Sequence, residues 1–255
     1  MTTSFRDLHA GPTPLLLPNA WDVGSALAFV EAGFPAVGTT SFGVAASAGH
    51  PDGGRSTAAA NLALAAQLVR LDVHVSVDVE DGYADDPAEV ATYVARLGVA
   101  GVNLEDSTDG RLVDPATCAA KVEAVRRAAP DTFVNARVDT YWFGQDATPE
   151  ATLARARAYV EAGADGVFVP GLADPEVLRF LAAELPVPLN VLVPPGRSLD
   201  DLAALGVRRV STGSLPYRSA VDRAVEVATL VREGREPPAA TPYPQMQERL
   251  VRFAG

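Results

Sequence analysis

The sequence predicts an α/β fold, a (β/α)8 TIM barrel with a C-terminal helical tail. Three observations predict it. Eight short apolar runs alternate with eight longer stretches of helical period. Asp86-Pro87, Asp114-Pro115, Thr148-Pro149 and Asp174-Pro175 each set a capping side chain before a proline at a first helical position. The first strand-to-helix turn lacks the GxGxxG pattern of a dinucleotide-binding open sheet, the competing arrangement. At 255 residues, 1–255 reads as one barrel domain, with the tail from about residue 234.

The elements follow in order. Leu15–Ala20 is the first strand and Val23–Ala32 its helix, ended by Gly33. Ala36–Ser41 is followed by a glycine-rich loop and the helical pattern Thr57–Leu71. His74–Glu80 leads to Pro87–Leu97, closed by Gly98, and Gly101–Asp106 leads to Pro115–Ala129. Phe133–Asp139 precedes Pro149–Ala162, which ends at Gly163. Gly166–Gly171 with Pro175–Leu185, then Leu189–Val193 with Leu199–Leu205 and Gly206, complete seven units. Arg209–Gly213 is the eighth strand, and its helix runs from about Arg218 to Arg232. Met246–Phe253 in the tail packs on the barrel or on a neighbouring subunit.

Composition removes several function classes. The 32 acidic against 21 basic residues, a net charge of −11, argue against nucleic acid, which needs a basic footprint. Cys118 is the single cysteine, so no internal disulfide forms, and with His9, His50 and His74 the only histidines a zinc site is disfavoured. No apolar run reaches about 18 residues and Met1–Pro14 does not read as a signal peptide, so the expected address is cytoplasmic, with no membrane partner. Lys121, the sole lysine, falls in the fourth helix on the outer ring, which removes a Schiff-base mechanism.

Three neighbouring strands carry the chemistry. Barrel interiors are usually filled with branched apolar side chains. Here the valines of His74–Glu80 share one parity, which turns Ser76, Asp78 and Glu80 inward. Asn103 and Glu105 follow on the next strand, then Asn135, Arg137 and Asp139. With strands about 4.8 Å apart, Asp78, Glu80 and Glu105 converge at the C-terminal ends, where barrel active sites lie. Carboxylates so clustered call for a cation, and an all-oxygen set favours Mg2+, or Mn2+. The competing reading is a structural ion-pair network with Arg137. Asp52, in the Pro51-Asp52-Gly53 stretch, joins or gates the site, or is an ordinary turn residue. Asn190 has inward parity and binds substrate or satisfies the barrel interior.

The segments AGFPAVGTTSFGVAASAGHPDGG (32–54), VDVEDGY (77–83), GVNLEDS (101–107) and NARVDTY (135–141) resemble the isocitrate lyase/phosphoenolpyruvate mutase superfamily. The resemblance implies enolate chemistry on 2-oxo acids, with the substrate chelating Mg2+ as a Lewis acid. It places Asp78, Glu80 and Glu105 at the metal and Arg137 on developing negative charge. It also sets Thr40 and Ser41 on the substrate carboxylate and Asp52 at the family's loop aspartate. The chain departs from the isocitrate and methylisocitrate lyases: where they carry a Lys-Lys-Cys-Gly-His stretch and a long gating loop, it has only Ser107–Asp114. Phe168–Gly171 stands where phosphonate-cleaving members have a histidine.

The expected function is a Mg2+-dependent lyase or decarboxylase of a small 2-oxo or 2-hydroxy carboxylate, oxaloacetate-like compounds being the simplest. The alternatives are a phosphonopyruvate-type C–P hydrolase or mutase, and a non-catalytic 2-oxo acid binder. A homo-oligomer, dimer or tetramer, is expected from the resemblance.

Overall fold

A computed structural model describes residues 3–255. A 3-10 turn at Asp7–His9 precedes β1 (Leu15–Leu17), β2 (Asn19–Ala20), α1 (Val23–Glu31), β3 (Ala36–Thr39) and α2 (Ser41–Ser47). Next come α3 (Ala58–Leu68), β4 (His74–Asp78), α4 (Pro87–Leu97), β5 (Gly101–Glu105), and a small ribbon of β6 (Ser107–Thr108) and β7 (Arg111–Leu112). The chain continues through α5 (Pro115–Ala128), β8 (Phe133–Arg137), α6 (Thr140–Phe143), α7 (Pro149–Glu161), β9 (Gly166–Phe168) and α8 (Pro175–Glu184). It ends with β10 (Leu189–Leu192), α9 (Leu199–Ala204), β11 (Val207–Ser211), α10 (Leu215–Arg232) and α11 (Tyr243–Ala254).

All pairings in the main sheet are parallel, in the order β1-β11-β10-β9-β8-β5-β4-β3-β2. Nine strands fill eight barrel positions because the expected strand Leu15–Ala20 breaks at Pro18, which has no N–H to donate. β1 then pairs with β11 and β2 with β3, while the Pro18 carbonyl accepts from Gly38 N at 2.8 Å. The ring closes through that residue.

The proline-led helices start as their sequences require. Asp86, Asp114, Thr148 and Asp174 each accept a backbone N–H of the first turn. Gly98 closes α4 at φ +63, a conformation costly for any residue with a Cβ. The outward parity of β4, β5 and β8 also holds: Val75, Val77, Val102, Leu104, Val134 and Ala136 belong to the core between sheet and helices. Inside the barrel Asn135 Nδ2 donates to Asn103 Oδ1 (2.8 Å), and Asn190 pairs with Ser211.

Several expected boundaries shift. The strand expected to reach Glu80 ends at Asp78, and the one expected to reach Asp139 ends at Arg137. Glu80 takes φ +49, so the chain has already turned away from the sheet there. Asp139 is instead the residue flanking the start of α6. Lys121 sits on α5 of the helix ring as expected, yet it is buried rather than outward, with Nζ donating to the Asp81 carbonyl at 2.8 Å. The tail packs back on the barrel: Arg249 pairs with Glu31 of α1, and Arg70 donates to the Phe253 carbonyl at 2.7 Å. Phe5 and His9 plug the end of the barrel where β8 begins, His9 stacking on Phe133 at 4.4 Å.

Candidate active site

Strand register builds the centre of the site. Glu105 and Arg137 are direct partners across β5 and β8, so their side chains leave one face side by side. Arg137 pairs with Glu105 and sets Nε 2.6 Å from Asp139 Oδ1. Asp139 is fully buried and also accepts from Ser107 Oγ at 2.6 Å. The guanidinium lies 5.7 Å from the Trp142 ring centroid and 5.8 Å from that of Phe168, whose backbone is its partner across β8 and β9. Burial opposes a charge on Arg137, but Glu105 and Asp139 outweigh it and hold the cation firmly protonated.

One strand over, Asp78 closes β4. Its Oδ2 accepts Ser41 N at 3.2 Å, and its Oδ1 is buried with no hydrogen-bond partner. Burial pushes the Asp78 carboxyl above its ordinary range, Arg137 opposing, and raises Glu105 further. Glu80 is held from the loop side, by Thr57 Oγ1 on Oε1 (2.5 Å) and Arg55 N on Oε2 (2.9 Å). Burial raises it too, with Thr57 and Arg55 opposing. Burial raises all three carboxyls, and Arg137 offsets only part of that for Asp78 and Glu105.

Asp81 is the exception. Burial acts against its charge, but Arg55 forks onto both its oxygens, Thr108 Oγ1 donates at 2.7 Å, and Lys121 Nζ stands 3.7 Å away, so its carboxyl lies below the usual range. Asp81 therefore ties three segments together: the Asp52 loop through Arg55, the β6–β7 ribbon through Thr108, and α5 through Lys121. The ribbon turns at Asp109 (φ +50) and Gly110 (φ +73), the left-handed pair that a two-residue hairpin demands. Gln145 secures its far side, accepting from Leu112 N (3.1 Å) and donating to the Gly110 carbonyl (2.8 Å).

Two cavities meet here. The larger, about 520 Å³, contains Asp52, Glu80, Glu105 and Arg137 on its walls. The smaller, about 80 Å³, is lined by Thr40, Asp78 and Ser211 among other polar groups. Ser41, Asp52, Arg137 and Trp142 line both. Of the sequence-chosen residues, Asp78, Glu80, Glu105, Arg137, Thr40, Ser41 and Asp52 thus surround one space. Asn190 does not line it, since its amide is bonded to Ser211 Oγ at 3.2 Å.

A family model described as phosphoenolpyruvate phosphomutase matches residues 5–232. The chain belongs to the phosphoenolpyruvate phosphomutase family. An uncharacterised protein of Mycobacterium tuberculosis is 53% identical over 250 residues, 98% of this chain and 97% of that one. A protein named oxaloacetate decarboxylase, from Pseudomonas fluorescens, is 30% identical over 86% of this chain and 80% of its own. Among solved structures, 2,3-dimethylmalate lyase superposes with TM-score 0.83 at 30% identity, covering 98% of this chain and 92% of that one.

The donor set of this phosphomutase-family site suits a hard divalent cation. All candidate ligands are carboxylate oxygens, and the buried, partnerless Asp78 Oδ1 is an acceptor waiting for one. Among the described residues no three His, Cys, Asp or Glu side chains stand ready-grouped around one ion. Glu105 leans on Arg137 and Glu80 on Thr57 instead, an arrangement compatible with a cation that keeps several waters.

Sequence reasoning missed Arg55, Thr57, Asp81 and Trp142. Arg55, Thr57 and Asp81 sit on turns and Trp142 on the one-turn helix α6, segments too short or irregular for a period to report which way a side chain faces. Arg209 left a signal that was readable: two consecutive arginines on the eighth strand cannot both point outward. Arg209 is fully buried inside the barrel, Nη2 3.1 Å from Asn103 Oδ1, and burial lowers it to about 9 against the pull of Asp78.

Proposed function

We propose that the chain is a Mg2+-dependent lyase or decarboxylase acting on a small 2-oxo or 2-hydroxy carboxylate. The observation that carries the reading is Asp78 Oδ1, a buried carboxylate oxygen without a partner, on the smaller cavity beside Arg137, which itself pairs with Glu105 on the wall of the larger one. Asp78, Glu80 and Glu105 would hold the cation, directly or through water, and Mn2+ suits the same oxygens. Bound there, the cation would supply Lewis-acid stabilisation of the enolate that forms when the bond to the adjacent carbon breaks.

The chain's own groups do the rest. Thr40 and Ser41, buried at the wall of the smaller cavity, receive the substrate carboxylate. Arg137, immobilised between Glu105 and Asp139, keeps a fixed positive charge beside developing negative charge. Asp52 faces both cavities from its loop, and its carboxyl is placed to exchange a proton with the reacting carbon. Asn190 acts through Ser211, which it holds against the smaller cavity.

The relatives named as a decarboxylase and a lyase support this reaction class. The test is a screen of 2-oxo and 2-hydroxy acids followed by NMR. Turnover that EDTA abolishes and Mg2+ or Mn2+ restores, and that falls at least about 100-fold in Glu105→Gln, is expected. Turnover indifferent to EDTA would sink the proposal. Phosphate release from phosphonopyruvate would move it to C–P cleavage, and metal-dependent binding without product would make the chain a binder.

The proposal extends to a homo-oligomer in the cytoplasm. On α10, Val221 and Val225 are exposed one turn apart with Leu215 flanking them, and no residue of the helix is buried, an apolar patch that a second copy would cover. Light scattering reporting a monomer would refute this part. No helix among the described residues is long and apolar enough to cross a membrane.

A further inference from the structure

Thr57 stands immediately before α3, in the position where a threonine hydroxyl ordinarily caps the first turn. It makes no capping bond there. Its Oγ1 goes instead to Glu80 Oε1, at 2.5 Å, and meets the Tyr83 hydroxyl at 2.9 Å. Four residues further on, Asn61 sets Nδ2 2.5 Å from that Tyr83 hydroxyl and 2.9 Å from the Asp78 carbonyl. Thr57 and Asn61 are both buried. A run of hydrogen bonds therefore leads from the backbone of one expected cation ligand to the carboxyl of another.

The direction of this run is fixed at its first member. A carbonyl oxygen only accepts, so the Asp78 carbonyl requires the NH2 end of the Asn61 amide on this side. Nδ2 carries two protons and gives the second to the Tyr83 oxygen. The Tyr83 proton is then left for Thr57 Oγ1, and the Thr57 proton for Glu80 Oε1. Burial pushes the Tyr83 phenol well above its ordinary range, so that proton stays in place. Each hydroxyl has one proton and each is committed. Asn61 Oδ1 is left buried with no partner, so the amide is held by what Nδ2 binds.

The backbone is bent to the same end. Glu80 and Tyr83 both take the left-handed conformation, at φ +49 and +63, costly for residues that carry a Cβ. Such conformations persist where surrounding contacts over-determine them, and they cluster at functional sites. Here the bend lets Tyr83 reach Thr57 while Glu80 stays on the wall of the larger cavity. Tyr93 braces the Tyr83 ring edge-on, with centroids 4.9 Å apart.

We propose that Thr57, Tyr83 and Asn61 are positioning residues for the cation and act through Glu80, holding its carboxyl against the larger cavity in one orientation. The inference rests on the reading of Asp78, Glu80 and Glu105 as the cation's ligands and adds the groups that aim one of them. Thr57 fixes Oε1 and the Arg55 N–H fixes Oε2, so the carboxyl plane is set before a cation arrives. Without the hydroxyl run Oε1 loses its donor, and the cation itself must order the side chain at the expense of affinity.

The test uses the full chain and reads Mn2+ binding directly, from the free Mn2+ signal in an electron paramagnetic resonance titration. Circular dichroism shows which variants are folded. Tyr83→Phe removes one hydroxyl and is expected to weaken Mn2+ about 10-fold, and Thr57→Val, which strips the donor from Glu80, about 10- to 100-fold. Thr57→Ser keeps the hydroxyl and is expected to stay within about 3-fold of wild type. In a Glu80→Ala background, Thr57→Val should cost less than about 2-fold, because the side chain through which it acts is gone. Should Tyr83→Phe fail to fold, the Thr57 variants alone decide. Undiminished affinity in Thr57→Val overturns the inference. So does a loss that Thr57→Ser shares in full, or one that persists in the Glu80→Ala background, since packing rather than the hydroxyl would then be responsible. A wild-type chain that takes up no Mn2+ overturns the reading of the cation's ligands, and this inference with it.

Discussion

Arg55 donates its backbone N–H to Glu80 Oε2 at 2.9 Å, while its guanidinium grips Asp81, the next residue along. Arg55 stands three positions after Asp52 and takes φ +61, so one residue folds the loop back and anchors it to the rim of the barrel. Loop placement and carboxylate placement are therefore one event.

Cutting that anchor should loosen Asp52 before it loosens the fold. In Arg55→Ala, amide exchange across residues 50–57 is expected to quicken, and kcat/KM to fall about 10- to 100-fold. Overall stability should fall by about 1–3 kcal/mol: the pair with exposed Asp85 is solvent-screened, but buried Asp81 loses its fork and keeps Thr108 and Lys121. Unchanged exchange in the loop would show that the backbone bond to Glu80 suffices.

Arg137 separates two effects. In Arg137→Lys a single ammonium cannot reach Glu105 and Asp139 together, so turnover should drop about 100-fold or more with the fold intact. Arg137→Met removes the charge and leaves Asp139 buried beside no cation. Urea unfolding should then report a loss on the order of 3–5 kcal/mol.

His9 gives stability a pH dependence. Burial, with Arg209 adding to it, lowers His9 to about 4 from its ordinary 6.5. Between those values the unfolded chain takes up a proton that the folded chain refuses. Stability from this residue is therefore fully present above pH 6.5 and drains away as pH falls towards 4, by about 3 kcal/mol in all. The difference between wild type and His9→Leu, followed by urea melts from pH 7.5 to 4, isolates the effect. A constant difference over that span would contradict it.

Cys118 should prove inert. Its thiol is fully buried, and burial pushes its ionisation up. Iodoacetamide is expected to leave the native protein unlabelled and to modify it only on unfolding. Cys118→Ala should retain activity within about 3-fold, whereas a large loss would reinstate a thiol acid.

The sheet was readable from alternation alone. Val75, Val77, Val102 and Val134 share one side, so Asp78, Glu105 and Arg137 had to share the other, and their parity needed no coordinates. Glu80 shows where that logic stops. Its parity is inward only while the strand lasts, and the strand ends two residues earlier at Asp78. At φ +49 the side chain answers to Thr57 and Arg55 instead.

The amino-acid sequence by itself determined the barrel, the polar end of its interior and the carboxylate set with Arg137. Short-range periodicity and proline-led helix starts encode those, and both are local. Only the tertiary structure decided that Arg55 and Lys121 are spent on Asp81, that Trp142 lies over Arg137, and that Asn190 serves Ser211. These are contacts between residues far apart in the chain, across loops with no period.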